Sequence, residues 1–278
     1  MRAGTTSSVA LLQLPALSGL TLQHPAVVMV LAAALAALVG DLAWLVADVQ
    51  LGQVMWLPVL PSMAFTPALL VAWWWLRPVE CQGAWWLSNV TMAAALAVLI
   101  AWQAGPPVLV RAEFAVASMS EEVVYRVALP LMLLVAVAGT RRLAGQRAGG
   151  AGAGRDGVGV QVSPRLLAGV LVASGALFIA LPGHVAQIAQ GGLVPLVAFL
   201  LFTFVWTAVV WSSGALGSVA LSHALVNVAG LVDTHGSGLV HTAATLLALV
   251  ALTAGMHRQQ RRLQTAGKSA GQQAGRAS

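Results

Sequence analysis

Apolar stretches of about 20 residues recur along almost the whole chain, separated by short polar segments. A helix of that length crosses the hydrocarbon core of a bilayer and satisfies its own backbone hydrogen bonds there. The chain is 59% hydrophobic and 8% charged, far from the usual composition of a soluble domain. The sequence therefore predicts an all-α fold, a polytopic transmembrane helix bundle. The eight predicted spans are residues 25–46, 54–76, 85–104, 112–139, 165–190, 193–212, 214–233 and 238–256.

These spans divide the chain into three parts. Residues 1–110 hold three N-terminal transmembrane helices, and residues 111–256 hold a transmembrane core that carries the polar motifs described below. A Gly- and Arg-rich loop at 140–164 interrupts this core, and residues 257–278 form a basic tail.

Basic residues are concentrated in the 140–164 loop and in the C-terminal tail, and cytoplasmic segments of membrane proteins carry such an excess. Four spans separate the two segments, so both can lie on the same side. We therefore expect an integral protein of a bacterial-type plasma membrane, with cytoplasmic N- and C-termini and with Arg111 as the one basic residue of the outer loops. Because topology explains the net charge of +6, the charge does not indicate a nucleic-acid partner.

Three charged residues, Glu121, Glu122 and Arg126, stand inside the fourth predicted span. Each charge in hydrocarbon costs roughly 2.5 to 3.5 kcal/mol on insertion scales, so such residues are expected to face protein or a wet cavity. Glu122 and Arg126 are one turn apart on nearly the same helix face and are predicted to pair. Glu121 lies about 100° further round and is expected to address a different neighbour, such as a substrate or a bound water. The alternative is an ion network that serves helix packing alone.

Two histidines and an asparagine stand at membrane depth on later spans. His184 follows Pro182-Gly183, which should break the fifth predicted helix. His223 and Asn227 are four residues apart and so share one helix face. We expect all three side chains to converge with Glu121, whose carboxylate should lie within roughly 5 to 6 Å of both histidines.

Glu121-Glu122-xxx-Arg126, His184 and His223-xxx-Asn227, in this order, resemble the motifs of the CAAX protease and bacteriocin-processing enzyme family of intramembrane proteases. The resemblance covers residues from about 108 to 233. The middle motif of the family is Phe-xxx-His, whereas here Ala180 stands four residues before His184 and the nearest preceding Phe is Phe178.

The resemblance implies an intramembrane endopeptidase that hydrolyses a peptide bond in a membrane-associated protein or peptide, without a cofactor. Glu121 and His184 would activate a water, and His223 and Asn227 would stabilise the oxyanion. Glu122 and Arg126 would have a supporting role.

Two alternatives stay open. Glu121, His184 and His223 could instead be three ligands of Zn²⁺ with water in the fourth position, as in catalytic zinc sites. No His-Glu-xx-His signature accompanies them. In the second alternative the same residues form a proton relay or packing network in a non-enzymatic transporter or membrane scaffold.

The sequence predicts the lipid bilayer and a membrane-associated substrate as partners, and it leaves open whether that substrate is prenylated.

Overall fold

The computed structural model of the protein describes residues 84–102, 106–130, 132–134, 136–137, 164–233 and 238–277, together with Ala32, Leu35 and Val39. All regular structure in these ranges is helical, as the sequence predicts. The first two predicted spans, apart from those three helical residues, and residues 140–163 of the predicted loop lie outside the described residues.

The described ranges form seven α-helices. They are α1 (Ala84–Ala101), α2 (Val108–Val123), α3 (Pro164–Ile179), α4 (Pro182–Gly191), α5 (Leu193–Ser213), α6 (Leu216–Val232) and α7 (Leu239–Ala277). A π-helical segment, Val124–Ala128, follows α2 directly.

Two of these helical stretches are long and apolar enough to cross a membrane, namely α5 and Leu239–Arg261 of α7. The bent pair Arg165–Ile179 and Gly183–Gly191 makes a third if it counts as one span. On the outer face of α5, Leu193, Val194 and Phe204 are exposed, as expected for side chains that face lipid. The chain is therefore that of a membrane protein, and the count of eight spans stays a prediction.

The predicted break before His184 is confirmed. Helix α3 ends at Ile179, α4 begins at Pro182, and the two helices are bent by 72°. Proline suits the first turn of α4 because it lacks an N–H that would need a partner there. The amide of Leu181 donates to the Phe178 carbonyl at 3.3 Å, which closes the last turn of α3.

Helix α6 is the centre of the described bundle and packs against α2, α1 and α7. Small side chains, including Ala220, Ala224 and Ala229, are buried along its length and let the neighbouring helices approach closely. Two contacts define the register of α6 against α2: Ser118 contacts Asn227, and Glu122 contacts His223. The residue numbers rise along one helix as they fall along the other, so α2 and α6 are antiparallel.

Arg111 is not the outer-loop residue that the sequence predicted. It lies in the first turn of α2 and is 2% exposed. The antiparallel register places it at the level of the C-terminal end of α6. The free carbonyls of a helix C-terminus carry partial negative charge and favour a cation.

Helices α1 and α7 approach each other at Trp85, whose ring lies against Gly255. The indole Nε1 of Trp85 donates to Oε1 of Gln259 at 3.3 Å, and Ser88 Oγ donates to the Ala251 carbonyl at 3.2 Å. The beginning of α1 and the distal half of α7 thus lie at the same end of the bundle. Helix α7 does not stop where the sequence predicted a separate tail, and it continues to Ala277.

This contact generates a prediction about Gly255→Ala. A Cβ at this position would lie 2.5 Å from Cε3 of the rigid Trp85 ring. Overpacking of this kind costs about 1 to 3 kcal/mol, more than the roughly 1 kcal/mol that alanine gains over glycine in a helix. We therefore expect a lower thermal midpoint in detergent. Gly169→Ala on α3, where a Cβ meets nothing within 4 Å, is the control and should leave the midpoint equal or higher. A stabilised Gly255→Ala protein would contradict the described packing.

Candidate functional site

Glu122 and Arg126 form an ion pair that is completely buried, each side chain being 0% exposed. Arg126 Nε lies 2.9 Å from Glu122 Oε2, and Arg126 Nη2 donates to Glu122 Oε1 at 3.4 Å. The predicted pairing along the helix is thus confirmed. In a low-dielectric interior the two charges depend on each other, because either one alone would be costly to bury.

His223 brings α6 to this ion pair. Its Nδ1 lies 2.9 Å from Glu122 Oε1, although the contact is misaligned for a hydrogen bond. The Trp206 ring lies 4.7 Å from the His223 ring, centroid to centroid. Glu122 therefore contacts both a cation on its own helix and an imidazole on α6, a neighbour that the spacing of residues along α2 does not reveal.

Asn227 extends the chain of contacts by one turn of α6. Its Nδ2 lies 2.9 Å from His223 Nε2 and donates to Ser118 Oγ at 2.9 Å. Ser118 in turn donates to the Phe114 carbonyl at 2.8 Å. If the Asn227 amide donates to Nε2, the His223 ring proton is on Nδ1, where it faces the Glu122 carboxylate. Carboxylate, imidazole, amide and hydroxyl thus form one connected row between α2 and α6.

His184 reaches the same region through Phe178. Its Nδ1 lies 2.7 Å from the Phe178 carbonyl oxygen, and the two rings are 4.5 Å apart, centroid to centroid. The Phe199 ring lies 4.3 Å away on α5. Phe178 is six residues before His184 rather than four, and the break between α3 and α4 still brings the two side chains into contact.

Phe178 is the side chain around which the polar groups are arranged. It is 1% exposed, and its ring contacts His184, His223 at 6.1 Å between ring centroids, and the guanidinium carbon of Arg126 at 4.3 Å from its centroid. A cation over an aromatic face is attracted by the negative charge of that face. The contact with the ring partly compensates the buried charge of Arg126, whose Nη1 has no hydrogen-bond partner among the described residues.

The π-helical segment directly after Glu122 is a part of the site that sequence reasoning missed. A wider helical turn disturbs the regular pairing of backbone carbonyls, and such turns are frequent at functional sites. Here Ser174 on α3 donates its hydroxyl to the Tyr125 carbonyl, and Trp211 on α5 donates its indole N–H to the Arg126 carbonyl at 2.7 Å. These contacts tie α3 and α5 to the residues beside the ion pair.

The structure brings most of the predicted site residues together. Glu122, Arg126, His223 and Asn227 are in direct contact, and His184 joins them through the Phe178 ring. Glu121 is partly buried one position before Glu122, and its predicted distance from the two histidines stays a prediction. The carboxylate that contacts His223 is Glu122, which the sequence had assigned only to Arg126.

In the zinc alternative, the ion would have to take a ring nitrogen of His223. Nδ1 of His223 faces Glu122 and its Nε2 faces Asn227, so both ring nitrogens already have polar neighbours. His184 directs its Nδ1 to the Phe178 carbonyl, which leaves Nε2 as its available ligand atom. A zinc ion held by Glu121, His184 and His223 would require His223 to give up one of its two contacts.

In comparisons with known proteins, no family model, no curated protein and no solved structure matches this chain.

The buried pair predicts a specific double-mutant result. Glu122→Gln leaves Arg126 without its counter-ion, and breaking a buried pair typically costs about 3 to 5 kcal/mol. We expect a markedly lower thermal midpoint, and we expect Glu122→Leu combined with Arg126→Met to recover most of it, because the second change removes the orphaned charge. Glu113→Gln, an exposed acid on the same helix, is the matched control and should have little effect. Equal midpoints for Glu122→Gln and Glu113→Gln would show that the pair does not stabilise the fold.

Proposed function

We propose that the protein is an intramembrane endopeptidase that hydrolyses a peptide bond in a membrane-associated protein or peptide. The observation that carries the proposal is the meeting of acid, imidazole and amide side chains from separate helices, with both histidines against one buried aromatic ring. Glu122 and His223 are about a hundred residues apart, and a helix break brings His184 to the same ring. Burial of ionisable groups is expensive, so such groups at membrane depth are functional candidates.

In the proposed mechanism Glu121 and His184 hold and activate the attacking water. General-base catalysis needs a proton acceptor within hydrogen-bond reach of the water, and a carboxylate with an imidazole supplies two such acceptors. His184 has its Nδ1 on the Phe178 carbonyl, so Nε2 is the atom that would address the water. The CAAX protease and bacteriocin-processing family, which the motifs resemble, supports the same division of roles.

His223 and Asn227 would stabilise the negative charge that develops on the carbonyl oxygen of the substrate. Hydrogen-bond donors beside the developing charge lower the barrier, and His223 would need a proton on Nε2, the atom that now faces Asn227, to be one of them. Asn227 Nδ2 now contacts Ser118 and His223, so a substrate carbonyl would take over one of these contacts when it binds. Glu122 would orient His223 through Nδ1, and Arg126 would compensate the charge of Glu122.

A second candidate function is a packing or proton-relay network in a membrane protein without catalytic activity. The observation in its favour is that Glu122, Arg126, His223, Asn227 and Ser118 contact one another and need no ligand. Such a network would lose stability when any member is removed, and it would give Glu121 no catalytic role. The two functions therefore differ most clearly in the role of Glu121.

Glu121→Gln is expected to abolish proteolysis while the protein accumulates at a normal level, because the change removes the base and leaves the buried pair intact. We would express the wild type, Glu121→Gln and the control Glu113→Gln at equal levels and identify protein N-termini in the membrane fraction by mass spectrometry. New N-termini should occur with the wild type and Glu113→Gln and be absent with Glu121→Gln. Identical N-termini in all three samples would exclude the proposed protease role of Glu121.

Metal removal distinguishes the two hydrolytic mechanisms. Purified protein would be dialysed for several days against a strong chelator and assayed on a peptide that spans one of the cleavage sites found above. We expect activity to fall by less than about twofold, because the proposed mechanism uses side chains and water alone. Activity that disappears and returns with about one equivalent of Zn²⁺ would establish the metalloprotease instead.

A further inference from the structure

Helix α7 continues beyond its apolar part with a strongly basic surface. Arg258 and Arg261 are exposed, and Arg262 is the next residue of the same helix. From residue 234 to the end of the chain there is no aspartate or glutamate. Neither Arg258 nor Arg261 forms an ion pair within the part of the chain that the structure describes. Among the described residues, therefore, no carboxylate pairs with the positive charge of Arg258 and Arg261.

The contacts of Trp85, which is itself buried, place these arginines relative to the first turn of α1. Tryptophan is enriched at the boundary between hydrocarbon and water, and Trp86 beside it is 56% exposed. The Trp85 ring lies against Gly255 and its Nε1 donates to Gln259, so these residues of α7 lie at the same level. With a rise of about 1.5 Å per residue, Arg261 lies only about 3 Å further along the helix axis than Gln259.

The apolar stretch of α7 that is long enough to cross a membrane ends at Arg261, so the basic surface is expected at the depth of lipid headgroups, on a helix that continues to Ala277. An arginine side chain is long, and its planar guanidinium binds phosphate oxygens through two parallel hydrogen bonds. Basic clusters directly beside a membrane span attract anionic lipids by about 1 kcal/mol per residue, which is about fivefold in affinity, and the attraction fades within a Debye length. Both the depth and the charge of the surface therefore match one ligand chemistry.

We propose that Arg258 and Arg261 bind the phosphate groups of anionic phospholipids in the leaflet at this end of the bundle. A soluble acidic partner is less favoured because the surface continues directly from a membrane-spanning helix whose packing against Trp85 holds it at the interface. The contact would also hold α7, and through Trp85 and Gly255 also α1, at a constant depth in the bilayer. This inference is independent of the proposed proteolytic activity.

Native mass spectrometry of the full-length protein tests the proposal. The purified protein would be delipidated and incubated with equal amounts of phosphatidylglycerol and phosphatidylcholine in mixed detergent micelles, and the bound lipids would be counted. The wild type should retain phosphatidylglycerol in preference to phosphatidylcholine. Arg258→Gln with Arg261→Gln should lower the affinity for phosphatidylglycerol by about fivefold for each arginine removed.

Two matched variants make the outcome decisive. Arg258→Lys with Arg261→Lys keeps the charge and should retain most of the preference for phosphatidylglycerol. Lys268→Gln removes one charge about 10 Å further along the helix from Arg261 and should change the affinity little. Equal binding of the two lipids by the wild type, or an unchanged preference in the glutamine double variant, would overturn the proposal. A loss as large for Lys268→Gln would also overturn it, because the effect would then follow net charge and not position.

Discussion

The ion pair between Glu122 and Arg126 is the interaction on which the described bundle depends. Two opposite charges are tolerated in a low-dielectric interior only if each is compensated, and here both are completely buried. Compensation does not end with the pair, because the carboxylate also contacts His223 and the guanidinium lies over the Phe178 ring. The need to compensate two buried charges thus draws α6 and α3 toward α2.

The same requirement explains why irregular backbone is concentrated beside the charges. The π-helical segment after Glu122 and the break between α3 and α4 both expose backbone groups that lipid cannot satisfy. In the structure Ser174 and Trp211 donate to two carbonyls of the π-helical segment, and His184 contacts the Phe178 carbonyl near the end of α3. Polar side chains near the site therefore satisfy the backbone as well as the charges. A change at one of them is expected to affect helix geometry and site geometry together.

The described packing also relates the site to the membrane. Helix α6 carries His223 and Asn227 and packs against α2, α1 and α7, while α1 and α7 meet at Trp85 and Gly255. Because α6 shares these neighbours, its position along the bundle axis follows from the contact between α1 and α7. Anchoring of the α7 arginines by lipid headgroups would thereby help position the candidate site in the membrane.

The sequence by itself determined that this chain is helical and resides in a membrane, because apolar stretches of this length leave the backbone few other ways to satisfy its hydrogen bonds. It also predicted the contact between Glu122 and Arg126 and the break at Pro182, since both depend only on neighbours within one helix. It did not predict that Glu122 contacts His223, that Phe178 lies between the two histidines, or that Arg111 is buried. Those features depend on the register and rotation of helices that are distant in sequence. The register and rotation are set by small side chains between the helices and by the bend between α3 and α4. Local spacing places a side chain on a helix face, and only the packed tertiary structure decides what that face meets.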